Sequence, residues 1–492
     1  MGREVTAATF TRADRQRYRE KVLRNLDALA RMLAEERFAA ERRSLGIEIE
    51  LNLTEDDGAP AMANAAVLER LADPDFQTEL GQFNVEINIP PRRLEGGVFA
   101  ELETAVRRSL NHAEECAREA GAQMMLIGIL PTLDPDNLTA DSLSENPRYT
   151  QLNDQIFAAR GEDLEISIAG VERLATTAET IAPEAACTSV QLHQQVDPAS
   201  FAACWNAAQA IAGVQLAVGA NSPYFFGREL WRETRIALFE QATDTRPEEL
   251  KIQGVRPRVW FGERWITSIF DLFDENTRYF PALLPQCEEE DPFDVLDTGG
   301  APQLHELRLH NGTIYRWNRP VYDVAGGQAH LRVENRTLPA GPTVVDIMAN
   351  AALYYGLVRA LVEAQRPVWS QLSFAAARDN FHAGARDGID AQLFWPGAGL
   401  VPATELLLRH LLPVAHHGLE RWGIDRADRD RLLGIIEQRC LRHRNGASWQ
   451  RDAVAGLEAR GLDRAAALRE MTVRYRELMH ANEPVHAWPD AT

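Results

Sequence analysis

Acidic or amide residues alternate strictly with aliphatic ones through Gly46-Ile47-Glu48-Ile49-Glu50-Leu51-Asn52-Leu53. A strand sends successive side chains to opposite faces, so Glu48, Glu50 and Asn52 line one face while Ile47, Ile49, Leu51 and Leu53 enter a core. At about 3.3 Å rise per residue the two glutamates sit roughly 7 Å apart. Carboxylates so close repel one another unless a cation or a basic side chain lies between them. Alone, the segment also suits a half-buried strand with an idle solvent face.

The arrangement recurs. Gln82, Asn84, Glu86 and Asn88 share one face of the segment 82–89, and Ser189, Gln191, His193 and Gln195 share one face of 189–196. Around 305–310, Leu307 and Leu309 alternate with Glu306, Arg308 and His310; in 331–336, Arg332, Glu334 and Arg336 line one side. An ordinary solvated sheet face is rich in Thr, Lys and Ser. These faces carry Glu, Asn, Gln, His and Arg and no Lys, which points to chemistry.

Length bounds the fold loosely. The chain has 492 residues, 45% of them apolar, enough for one large core or several small ones. It holds no run of about 18 uninterrupted apolar residues, so no transmembrane span is expected. Charge enters early at Arg12, Asp14 and Arg15, unlike a secretory signal. The cysteines at 116, 187, 204, 287 and 440 form no CxxC pair; reduced thiols and a cytoplasmic location are the expectation. With 72 acidic against 52 basic residues the net charge is -20, which argues against nucleic acid or an anionic membrane as partner.

Periodicity predicts an amphipathic helix over 11–42, from Tyr18, Val22, Leu26, Leu29 and Leu33. Strands are expected at 46–53 and 82–89, a helix at about 98–120 and a buried strand at Gln123–Gly128. Pro131 to Arg160 reads as loop, a lid or rim by its Pro, Asp and Asn content. A strand at 188–196 leads to a helix over 198–218, and 241–300 reads as irregular. After strands at 304–310 and 330–336, helices centre near 343–365, 403–420, 427–440, 450–458 and 463–480. The resulting expectation is an α+β fold: a helix over 1–42, then a single domain over 43–492 whose portion from about 343 to 492 is helical.

Several chemistries are excluded. The chain has no GxxxxGKS/T phosphate loop, no GxGxxG after a strand and no GxSxG elbow. His305 and His310 are five apart, whereas a zinc-protease helix needs histidines four apart. Glutamates with one histidine on several strands suit hard cations such as magnesium or manganese. Arginines on neighbouring strands suit phosphate and carboxylate through paired hydrogen bonds. A face carrying Glu48, Glu50, Glu86, His193, Glu334 and Arg336 suits a nucleotide triphosphate held through metal ions, and a buried salt-bridge network uses the same residues.

Gly46-Ile47-Glu48-Ile49-Glu50 followed by Gln82-Phe83-Asn84-Val85-Glu86-Ile87-Asn88 resembles the paired signature of type 2 glutamate–cysteine ligases and related carboxylate–amine ligases. Ala220-Asn221-Ser222-Pro223 with Arg235, the element 310–317 ending Thr313-Ile314-Tyr315-Arg316-Trp317, and Arg332-Val333-Glu334-Asn335-Arg336 are similar to its later elements. Arg386-Asp387-Gly388 and the segment 445–450 resemble two shorter patterns. The resemblance implies a glutamine-synthetase-like fold, a curved, mainly antiparallel sheet whose concave face holds ATP and two or three Mg2+ ions, with Mn2+ as a substitute. It also implies that ATP phosphorylates a side-chain carboxylate and that an amine attacks the acyl phosphate to form an amide. The substrates implied are glutamate and an amine, with cysteine first.

By the resemblance, Glu48, Glu50, Glu79, Glu86, His193 and Glu334 are the metal-side residues. Arg235 and Arg336 match catalytic arginines near substrate carboxylate or phosphates, while Arg316, Arg336 and Gln191 fall to the nucleotide. Gln82, Asn84 and Arg235 fall to the substrate. The chain departs from the pattern at Gln194-Gln195, in 241–300 and in its N-terminal helix, which puts the acceptor pocket in question more than the ATP chemistry. A different acceptor amine, a guanidino-kinase-like phosphotransferase and a binding protein without turnover are the alternatives.

Overall fold

The alternating segments pair with one another. In the computed structural model, which describes residues 10–39 and 43–490, they build a single seven-stranded sheet. Its strands are β1 (Ser44–Thr54), β2 (Phe76–Thr78), β3 (Asn84–Arg93), β4 (Gln123–Met125), β5 (Ser189–Val196), β6 (Asn318–Ala325) and β7 (Gln328–Pro339). The order is β6-β7-β5-β1-β3-β2, with β4 on the end of β1, and every pairing is antiparallel. The sheet curls into a half-barrel.

Register decides which polar groups meet. Glu50 lies opposite Glu86, and Glu48 opposite Asn88 on one side and Gln191 on the other. Glu334 lies opposite His193 on β5 and Arg319 on β6. The period of two sends Ile47, Ile49, Val85, Ile87, Val190, Leu192, Leu331 and Val333 to the convex face, where all are buried. There the helix Pro198–Gly219 packs on β7, and Val344–Val362 packs on that helix. Both helices are long and apolar enough to cross a membrane, yet each is almost wholly enclosed by the protein. Burial on all sides explains their lack of a polar stripe.

The helical C-terminal part follows the periodicity, with Arg426–Arg442, Gly446–Ala459 and Arg464–Ala481 among its helices. The N-terminal helix spans Arg12–Ala34, capped by Thr11, and residues 40–42 of the expected span lie outside the described residues. It packs against the helix His305–Asn311: Tyr18 Oη donates to the Glu306 carbonyl at 2.8 Å and Asn25 Nδ2 to Glu306 Oε2 at 2.8 Å.

Other expectations need correction. The segment 304–310 is not a strand but the helix His305–Asn311. Its buried residues, Glu306, Leu307, His310 and Asn311, follow a helical stripe, and so short a window fits either period. The second half of the expected loop 131–160 is the helix Pro147–Arg160, begun by an Asn146 side-chain cap and Pro147 in its first turn. Strand pairing in Gln123–Gly128 stops at Met125. The irregular 241–300 contains the helix Ile269–Tyr279, capped by Ser268. A hairpin, Leu164–Ala169 with Arg173–Ala178, and a helix, Phe374–Asp387, add to the expected elements.

Candidate active site

The concave face of the sheet opens into a cavity of about 340 Å³, within the roughly 300–1,000 Å³ of small-molecule sites. Seven acids (Glu48, Glu50, Glu79, Glu86, Glu184, Asp323 and Glu334) and five arginines (Arg148, Arg308, Arg319, Arg332 and Arg336) line it. They segregate.

At one end, carboxylate oxygens of Glu50, Glu79 and Glu86 all lie within 4.8 Å of one another. β1 and β3 bring Glu50 and Glu86 side by side, and Glu79 reaches in from the turn after β2. Glu50 is anchored by the Ser189 N–H at 2.6 Å and Gln191 Nε2 at 2.9 Å, and Asn88 Nδ2 donates to Glu86 at 2.7 Å. Burial, then the charges of Glu50 and Glu86, pushes Glu79 well above the usual carboxylate range. Burial, with Glu48 beside it, raises Glu86 to about 7. Glu50 is raised as well, by burial against the pull of Arg336. Two buried carboxylates and a half-buried one, with no basic side chain bonded to them among the described residues, fit a hard divalent cation, which would supply positive charge there.

At the other end the acids are already answered. Glu334 accepts from Arg319 Nη2 at 2.9 Å and from Arg336 Nη1 at 2.7 Å. Burial opposes its charge, but Arg319 and Arg336 hold it well below the usual range. Asp323 bridges Arg308 at 2.6 Å and Arg332 at 3.3 Å. Gln191 joins the two ends, donating to Glu50 and accepting from Arg336 Nη1 at 2.7 Å. Glu48 takes a middle position: burial is outweighed by His193, whose Nε2 lies 3.0 Å away, and its carboxyl falls to about 2.

The expected metal-side set therefore divides. Glu50, Glu79 and Glu86 converge; Glu334 is engaged by arginines, and His193 meets Glu48 without lining the cavity. Arg336 and Gln191 line the cavity as expected. Arg235 does not reach it: Nε pairs with Glu233 at 3.0 Å, and the remaining donors meet the Arg336 and Thr337 carbonyls. It instead fixes the backbone that presents Arg336. Arg316 is turned away, bonded to Glu275 at 2.8 Å and Asn276 at 2.9 Å, because its strand neighbour Tyr315 takes the cavity side. Gln82 holds the Asp141 and Leu143 carbonyls, and buried Asn84 donates to Asn52 Oδ1 at 3.1 Å; neither lines the cavity.

Other lining residues escaped the sequence reading. Arg319 lies on β6, whose alternation before Gly326-Gly327 is a legible hairpin signal. Arg148 and Tyr149 come from the helix Pro147–Arg160, signalled by Asn146-Pro147. Arg308 falls on a helix and not on the expected strand 304–310, Asn311 ends that helix, and Glu184, in Ala182–Ala185, carries no pattern.

Comparison with known proteins bears on the family and the fold. Residues 44–457 match glutamate-cysteine ligase family 2 (GCS2). Among solved structures, glutamate–cysteine ligase from Francisella tularensis in complex with AMP is similar, with a TM-score of 0.53 at 13% identity over 91% of each chain. A bifunctional glutathione synthetase from Pasteurella multocida gives a TM-score of 0.51 at 11% identity, over 93% of this chain and 55% of that one. At such identities the likeness speaks for the fold. No curated protein matches in sequence.

Proposed function

The chain belongs to glutamate-cysteine ligase family 2, and on that premise we propose that it joins the γ-carboxylate of glutamate to an amine with consumption of ATP. It is a ligase of the carboxylate–amine type; donor, acceptor and site roles are our reading. Cysteine is the acceptor that the family name suggests. The observation that carries the proposal is the pairing, in one cavity, of a converging carboxylate trio, bonded to no basic side chain among the described residues, with an arginine-rich wall.

Glu50, Glu79 and Glu86 hold magnesium in this reading, with Glu48 beside them; two or three ions are the number the family resemblance implies. Magnesium held there would supply positive charge against the phosphate oxygens of a nucleotide. Arg336 and Arg319, oriented by Glu334 on the opposite wall, would add positive charge to the transferring phosphoryl group with little reorganisation. Gln191 couples Glu50 to Arg336 and keeps both ends in register. The walls around Tyr149, Leu152 and Phe273 keep water from the activated carboxylate, which otherwise hydrolyses.

Residues 43–492 act as one catalytic unit in this reading, braced by the N-terminal helix. Free thiols at all five cysteines and a net charge of -20 support a cytoplasmic setting with small-molecule substrates. The test is phosphate release from ATP with magnesium, glutamate and a panel of amines; release that depends on both glutamate and an amine is expected. No substrate-dependent release with any amine would sink the proposal.

A further inference from the structure

A second, smaller cavity of about 40 Å³ lies behind the carboxylate trio. Leu80, Phe239 and Trp317 form apolar walls, and Glu50, Glu79, Leu80, Glu184 and Arg336 border both cavities, so they form the doorway between them. Glu184 is the acid left without a role above. Its Oε2 is shielded from solvent and has no hydrogen-bond partner among the described residues. The doorway's other committed groups are occupied: Glu50 by Ser189 and Gln191, and Arg336 Nη1 by Gln191 and Glu334. Arg235, on the far wall, is spent on Glu233 and two carbonyls.

Size and charge define the guest. A water needs about 10–15 Å³ of such space, so this chamber takes roughly three waters' worth. That suits an ammonium head with one or two carbons. Glu50, Glu79 and Glu184 outnumber Arg235 and Arg336, and Arg235 is already neutralised by Glu233, so the lining favours a cation and penalises a second carboxylate. Buried carboxylates without partners are costly, and an ammonium group repairs that cost with charge-assisted hydrogen bonds.

We propose that this chamber is the subsite for the ammonium head of an unbranched primary amine, held by Glu184, which takes one proton from it so that the free amine bonds to the activated carboxyl carbon while the C–O bond to phosphate breaks and the phosphate leaves with the second proton. The proposal rests on the ligase reading and deepens it. An α-amino acid such as cysteine carries its carboxylate on the carbon next to the ammonium, and so brings that charge to a doorway already lined by Glu50 and Glu79.

The full chain is assayed with ATP, magnesium and glutamate against ammonium, methylamine, ethylamine, isopropylamine and cysteine, with the amides quantified by mass spectrometry. Hydroxylamine trapping in parallel reports the activated carboxylate as a hydroxamate. We expect kcat/KM for methylamine or ethylamine to exceed that for isopropylamine and cysteine by about tenfold or more. Glu184→Gln is expected to raise KM for the amine about tenfold, the loss of a charged hydrogen bond, and to leave KM for ATP and glutamate within about twofold. Glu184→Asp should recover part of that loss, and thermal unfolding checks that both variants fold. Hydroxamate formation with cysteine as the best acceptor overturns the chamber proposal and leaves the ligase reading standing. An unchanged amine KM in folded Glu184→Gln also overturns it. No hydroxamate and no amide with any amine overturns both.

Discussion

Glu79 and Glu334 lie at opposite ends of one cavity and are the same residue type, yet burial leaves one reluctant to ionise and the other firmly ionised. The difference lies in their partners. Around Glu79 the nearest strong charges are Glu50 and Glu86; around Glu334 they are Arg319 and Arg336. One end is built to gain a cation and the other is complete without one. A carboxylate's burial thus says little about its role until the charges beside it are known.

The contrast can be broken at either end. The largest effect is expected for Glu50→Gln, which removes a charge from the trio and keeps the side chain's shape, with one of the two accepted hydrogen bonds, from Ser189 N–H or Gln191 Nε2, lost to the new amide NH2; turnover should fall by about 10³-fold or more with the fold intact. Substantial activity at ordinary magnesium would remove Glu50 from any metal role. Glu334→Ala is expected to destabilise the protein by about 3–5 kcal/mol, because Arg319 and Arg336 lose their shared anion. Chemical denaturation measures it.

Glu79→Gln should do the reverse. Deleting a repelling charge should stabilise the metal-free protein by about 1 kcal/mol in the same experiment, while weakening magnesium or manganese binding by calorimetry. A loss of stability there would show that the trio is satisfied without a cation.

The smallest effect is a pH trend. Glu86, raised from 4.5 to about 7, and Glu184, raised to about 8, bind protons in the folded state that the unfolded chain has released. Their contribution to stability is therefore complete below about pH 4.5 and lost as pH rises through 7 to 8. The metal-free protein should melt at a lower temperature at pH 8 than at pH 6, and added magnesium should recover more of the loss at pH 8. A melting temperature that rises over that range without metal would contradict these carboxyl shifts.

Much of this architecture is legible in the chain because a sheet with one buried face writes its period directly into sequence. β1, β3, β5 and β7 announce themselves that way, and their register puts Glu48, Glu50 and Glu86 together. What is lost is decided by rotation or distance. Tyr315 and Arg316 are adjacent, yet only one can face the cavity, and the motif does not say which. Arg308 hides in a seven-residue segment whose spacing suits strand or helix. Asn84 and Gln82 have the right chemistry but spend it on Asn52 and on the loop after Thr139. Glu184 has no pattern at all, since only tertiary folding brings it to the doorway.

The contacts of Tyr18 and Asn25 with Glu306 carry one more consequence. They seat the helix that presents Arg308, although Glu306 is 288 residues further along the chain than Tyr18. The family match begins at residue 44, so this buttress lies outside the matched span, while the helix that it braces lies within it. A fragment begun at residue 44 would keep the cation-seeking end of the cleft and receive its arginine wall without a foundation.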